Sequence, residues 1–147
     1  MRAILLKDER INNSIAIDAF LFCCKDENIN EAVFFHDKEF FQSFRENVPN
    51  IKTTLFEIDW INKYPPYKEK VSEKGNYNCF AAHNLRDVIL EYSDILIYFR
   101  NIDFSSVPLN KSHKLYSHAL YIKYPIIVID SSTSTWTKTY ESNIIKG

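Results

Sequence analysis

Five short apolar runs, separated by stretches with helical spacing, constrain this chain more than any other feature. They are Ala3–Leu6, Ala32–Phe35, Thr53–Ile58, Ile95–Phe99 and Ile126–Ile129. Most are continuous rather than alternating, the pattern of parallel strands covered on both faces. Between them, Leu85, Val88, Ile89 and Tyr92 share one helix face, as do Phe40, Phe41, Phe44 and Val48, and Leu115, Ala119 and Ile122. Pro125 is expected to stop the last of these helices before the fifth strand. Residues 13–24 fit either a helix or an alternating strand, and their place between two strands favours helix. The alternation predicts an α/β fold: a doubly wound sheet of about five mostly parallel strands, with helices on both faces.

A chain of 147 residues, 46% hydrophobic and 25% charged, reads as a single domain spanning 1–147. At this size roughly 70% of the unfolded surface can be buried, so no staples are needed. Two segments fall outside the alternation. Residues 60–79 hold Pro65-Pro66, several lysines and four aromatics, and read as a flap or an insertion. There Trp60, Tyr64, Tyr67 and Tyr77 interleave with Lys63, Lys68, Lys70 and Lys74, the make-up of a nucleotide lid or equally of a solvated insertion or subunit interface. Residues 131–147 form a Ser/Thr-rich C-terminal tail whose Trp136 and Tyr140 are expected to pack.

Composition removes several function classes. Eighteen basic and 19 acidic residues leave a formal charge of −1, which argues against a nucleic-acid partner. The apolar runs are far short of the ~20 residues of a membrane span, and the start MRAILLKDER lacks a signal-peptide core. Three cysteines, Cys23, Cys24 and Cys79, make neither a disulfide framework nor a metal spacing, and suit a reducing cytosol. Neither His113 with His118 nor any Cys/His pair has ligand spacing, so no metal and no cofactor are expected. With only two glycines, where ordinary usage gives about ten, the chain has no glycine-rich phosphate loop of the usual form. The excess of Ile, Asn, Lys, Tyr and Phe over Gly, Ala, Arg and Pro matches AT-rich codons, as in a low-GC bacterium or a phage.

The stretch Ala81-Ala82-His83-Asn84-Leu85-Arg86-Asp87, followed by Glu91-Tyr92-Ser93-Asp94 and the Ile95–Phe99 strand, resembles the SLOG superfamily of Rossmann-like proteins. That family has an Ala-Gly-x-x-Arg-Asn helix start leading into a small-Asp-apolar strand. Asp59-Trp60 and Lys63-Tyr64 are similar to an aspartate-tryptophan and tyrosine element of some members. Ser117-His118-Ala119 and Tyr124–Ile129 are similar to its last helix and strand, and Asp8-Glu9-Arg10 stands where Gly-Ser-Arg is frequent. The resemblance covers roughly 1–130 and implies a Rossmann-like nucleotide-binding fold. The chain departs from it after the second strand, where His36-Asp37-Lys38-Glu39-Phe40-Phe41 replaces the glycine-rich loop. The Gly-Gly-x-Gly-Thr and glutamate motif of phosphoribohydrolase members is absent. So is any glutamate between Asn101 and Tyr124, where the related deoxyribosyltransferases use one. Inherited catalysis is therefore not expected.

In an open α/β sheet a ligand sits outside the carboxyl ends of the strands, at the switch in strand order. If the first and fourth strands flank that switch, Arg10 and Asn12 meet Arg100, Asn101, Ser105 and Ser106 there, with the arginines placed to grip a phosphate or carboxylate. Ser131 and Ser132, after the fifth strand, would bind an anion or cap a short helix. His83, Asn84 and Arg86 open a helix whose amides face outward, with Asn84 either a ligand contact or an N-cap. A Ser131–His36–Asp94 triad can be written down, but no nucleophile-elbow spacing supports it. No catalytic residue is assigned.

These residues lead to an expected function of binding, by sensing or sequestration, of a nucleotide or nucleotide-derived small molecule. A cytoplasmic setting in phage or bacterial defence or counter-defence fits the composition, and a homo-oligomer is an admitted partner. Two alternatives stand beside it. One is a hydrolase or transferase at an N-glycosidic bond, using Asp8, Glu9, Asp59 or Asp103. The other is a degenerate Rossmann-like interaction or inhibitor module, supported by the 15% aromatic content.

Overall fold

A computed structural model describes residues 1–58, 67–71, 77–82, 85–101, 111–131 and 136–140. All five expected strands are present: β1 (Arg2–Lys7), β2 (Glu31–Phe35), β3 (Lys52–Ile58), β6 (Ile95–Asn101) and β7 (Ile126–Ser131). Three more join them: β4 (Tyr67–Val71), β5 (Tyr77–Ala82) and β8 (Trp136–Tyr140). The sheet has eight strands in the order β4-β5-β3-β2-β1-β6-β7-β8. The six from β5 to β7 run parallel, and β4 and β8 close the edges antiparallel. Within the 60–79 segment, expected as a flap or an insertion, the chain thus supplies a sheet edge.

Four helices connect the strands: α1 (Asn13–Cys23), α2 (Lys38–Asn47), α3 (Leu85–Tyr92) and α4 (Lys111–Tyr121). The ambiguous 13–24 segment is helical because Asn12 caps it, its side-chain oxygen accepting from the Ser14 N–H at 2.8 Å. Asp37 caps α2 in the same way, accepting from the Phe40 N–H at 3.1 Å. α4 ends at Tyr121, ahead of Pro125, so a capping turn rather than the proline stops it. Tyr124 N–H donates to the Ala119 carbonyl and Lys123 N–H to that of Leu120. Lys123, at φ 60°, is the left-handed residue of this Schellman turn.

Alternation along each strand divides the core in two. Ala3, Leu5, Phe34, Ile97, Phe99 and Ile127 face α1 and α2. Ile4, Leu6, Val33, Leu96, Tyr98 and Val128 face α3 and α4. Helices on both faces of a mostly parallel sheet make this a Rossmann-like doubly wound fold. Phe34 is the centre of the first layer, its ring 5.2 Å from Phe40, 5.7 Å from Phe41 and 5.4 Å from Phe44. Burial of each ring contributes about 1.5–3 kcal/mol, so Phe34→Ala should cost roughly 3–5 kcal/mol.

The tail aromatic Trp136 packs against this same layer. Lys138 of β8 reaches back to the end of α1, donating to the Cys23 carbonyl at 2.9 Å and to Glu27 at 2.6 Å. Tyr140 donates to Glu27 at 2.6 Å. Cys24 lies in the core, and burial pushes its thiol up to about 12, a structural rather than a reactive sulfur.

Candidate functional site: the carboxyl edge of β1, β6 and β7

Strand order reverses between β1 and β6, which pair in parallel from Ala3↔Ile95 to Lys7↔Phe99. β2 and β3 extend to one side of that line and β7 to the other. The first and fourth expected strands therefore flank the switch point. Because strand side chains alternate, Asp8, Arg100 and Asp130 continue the rows begun by Leu6, Tyr98 and Val128 on the α3/α4 face.

Two arginine–carboxylate forks occupy this edge. Arg10 Nε and Nη2 donate to the two oxygens of Asp8 at 3.0 and 2.8 Å, and the Arg10 backbone N–H adds a third bond at 3.0 Å. Arg100 grips Asp130 alike, at 2.7 and 3.0 Å. In both pairs the carboxylate is the deeper partner: Asp8 is 1% exposed beneath Arg10 at 32%, and Asp130 16% beneath Arg100 at 42%. Burial raises the Asp8 pKa, but the bonds from Arg10 outweigh it, so Asp8 stays below the ordinary carboxylate value. A guanidinium held this way is fixed in orientation by its carboxylate.

Beneath the forks lies Tyr98, 1% exposed, with its ring 4.7 Å from that of Tyr116. Its hydroxyl makes no hydrogen bond among the described residues. Burial pushes it up to about 12, Asp8 adds to the shift, and Arg100 and Arg10 oppose it. On the other face of β1 the Lys7 ammonium is buried, donating to the Ile11 carbonyl at 2.8 Å. Desolvation lowers its pKa against the pull of Asp37 and Asp8.

The remaining expected residues divide three ways. Asn12 is at the edge, but its side-chain oxygen is engaged by Ser14. Arg86 lies in α3, Asn101 ends β6 and Ser131 ends β7, each described by its backbone alone. His83, Asn84, Ser105, Ser106 and Ser132 lie outside the described residues. The helix that Ser131 was expected to cap is not the next described element. Ser131 pairs with Trp136, and the chain enters β8. The paper triad is also taken apart. Asp94, which accepts from the Arg2 N–H at 2.7 Å, precedes β6 at the amino edge, whereas His36 follows β2 and Ser131 ends β7 at the carboxyl edge.

Sequence reasoning missed Tyr98 and underrated Asp8 and Asp130 as partners of the two arginines. The signal for Tyr98 was a lone hydroxyl in an otherwise apolar parallel strand.

Among the described residues, no group of three or more His, Cys, Asp or Glu side chains is placed to hold a metal ion. Nor is any helix among them long and apolar enough to cross a membrane. Fold and edge together define an α/β protein of Rossmann-like topology with a polar cluster at its switch point. Compared with family models, with curated proteins and with solved structures, the chain matches none. The α/β architecture implied by the SLOG resemblance is present, while no family model identifies that superfamily.

Proposed function

We propose that this chain binds a nucleotide or nucleotide-derived small molecule at the carboxyl edge of β1, β6 and β7, as a divergent SLOG-like domain that senses or sequesters its ligand. The observation that carries the reading is the placement of Arg10 and Arg100. Both stand outward of a deeper carboxylate, buried at Asp8 and partly buried at Asp130, on the face of the switch-point strands where the Tyr98 hydroxyl lacks a partner among the described residues. The guanidinium groups supply donors for a phosphate, and Asp130, the more exposed of the two carboxylates, supplies an acceptor for ribose hydroxyls or base N–H groups. Asn12, Arg86, Asn101 and Ser131, with His83, Asn84, Ser105, Ser106 and Ser132, complete the proposed shell. A role in phage or bacterial defence or counter-defence belongs to the same reading.

Binding is favoured over turnover at an N-glycosidic bond by the state of Asp8. Both of its oxygens are taken by Arg10, which leaves it a poor nucleophile and a poor proton donor. Equilibrium dialysis against a panel of nucleotides and cyclic nucleotides tests the proposal. Retention of one chemical class, lost in Arg100→Ala with the fold intact, is the expected result. No retention across the panel overturns it.

A further inference from the structure

A terminal phosphate is held where a site offers surplus positive charge and N–H groups at a helix start. Among the described residues, the carboxyl edge of this sheet offers no such surplus. Arg10 is matched by Asp8, and Arg100 by Asp130. Around these pairs Lys7, Lys38 and Lys114 are balanced by Glu9, Asp37 and Glu39. Lys7, moreover, is buried in the field of Asp37, Asp8, Glu9 and Glu39. The helix starts are engaged by the chain's own side chains. Asn12 takes the Ser14 N–H of α1 at 2.8 Å, and Asp37 takes the Phe40 N–H of α2 at 3.1 Å. Glu39 adds a second carboxylate in the first turn of α2, where the helix dipole would otherwise favour an anion.

The same edge holds one buried polar group that a weakly charged ligand would satisfy. The Tyr98 hydroxyl, on a residue 1% exposed, makes no hydrogen bond among the described residues and lies in the field of Asp8, Arg100 and Arg10. Resting on the nucleotide-binding reading above, we propose that the ligand carries its phosphate as a singly charged internal diester, and that this edge discriminates against terminal phosphates. At neutral pH a terminal phosphate carries nearly two charges. Taking the second charge out of water is costly where no surplus base receives it. Strands stand about 4.8 Å apart, so the ends of β2, β1, β6 and β7 span roughly 15 Å. At about 10 Å in water, each carboxylate weakens the binding of one further ligand charge about two-fold.

Equilibrium dialysis in about 10 mM salt, where the Debye length is about 30 Å, tests the proposal. The probes, for each common base, are the 3′,5′-cyclic mononucleotide, the 3′,5′-linked dinucleoside monophosphate, the 5′-monophosphate and the 5′-triphosphate, with magnesium and with a chelator. One diester should be retained at least ten-fold more tightly than either terminal phosphate of its base. The Glu9→Gln/Glu39→Gln variant removes two exposed carboxylates outside the proposed shell and leaves a surplus of base. It should narrow the ratio of diester to monophosphate affinity about four-fold, with the far-ultraviolet circular dichroism unchanged. A monophosphate or triphosphate held as tightly as the diesters overturns this inference while the binding reading stands. So does a ratio that the variant leaves unchanged. Retention of no probe overturns the binding reading itself.

Discussion

Tyr92, at the end of α3, donates its phenolic hydrogen to the carboxylate of Glu31, at the start of β2, across 61 residues of sequence. Glu31 also accepts from Thr54 at 2.7 Å and lies 3.4 Å from Arg2, whose guanidinium carbon sits 4.2 Å from the centre of the Tyr92 ring. A buried carboxylate is tolerated at the amino edge because each neighbour supplies a donor or a charge. Tyr92→Phe removes one donor and leaves the acceptor buried, so it should cost about 1–3 kcal/mol in urea unfolding.

The same tyrosine gives the protein an alkaline limit. Burial, then the bond to Glu31, pushes Tyr92 up to about 12, and burial does the same to Tyr98. A folded-state pKa above the unfolded value of about 10 means that the stabilisation is whole below pH ~10 and drains away as pH rises toward 12. Urea midpoints should fall across that window, and less steeply for the Tyr92→Phe/Tyr98→Phe double variant. Equal slopes would contradict the assignment.

Asp8 acts at the other end of the scale. Its folded-state pKa is depressed, so its contribution is present above the ordinary aspartate value of 3.8 and is lost as pH falls through the lower folded value. Asp8→Asn should destabilise the chain by about 1–3 kcal/mol at neutral pH and flatten the acid limb of the urea midpoint.

Glycine scarcity leaves left-handed backbone positions to other residues. Asn28, His36 and Lys123 have φ of 57°, 63° and 60°. Lys123 occupies the Schellman position, where glycine has no Cβ penalty, and its side chain is exposed. Lys123→Gly should raise stability by about 0.5–1 kcal/mol, read as a higher thermal midpoint.

Tyr98 separates stability from binding. Removing a buried hydroxyl that makes no hydrogen bond among the described residues should leave the unfolding free energy unchanged or raise it. Under the proposed function, the same Tyr98→Phe variant loses affinity for the retained nucleotide. A variant that is destabilised and binds normally would place the hydroxyl in a structural role.

What was legible in the sequence followed apolar runs. Of the six parallel strands, β1, β2, β6 and β7 carry unbroken apolar runs and β3 a shorter one, whereas β5, Tyr-Asn-Cys-Phe-Ala-Ala, carries none and was missed although it lies inside the sheet. Edge strands need no such run. Tyr67–Val71 reads Tyr-Lys-Glu-Lys-Val and Trp136–Tyr140 reads Trp-Thr-Lys-Thr-Tyr, polar patterns that discourage further pairing at an edge and conceal the strand. At the site, Arg10 and Arg100 were legible from their place after strands. The partner Asp130 was not, because the Arg100–Asp130 pair spans 30 residues and depends on the register of β6 against β7.

Native mass spectrometry of the chain with each nucleotide of the panel, wild type beside Arg100→Ala, reports whether this edge holds a nucleotide. One bound nucleotide per wild-type chain, saturable and absent from the variant, is the expected result. The chain mass alone with every nucleotide, or equal adducts on both proteins, would contradict it.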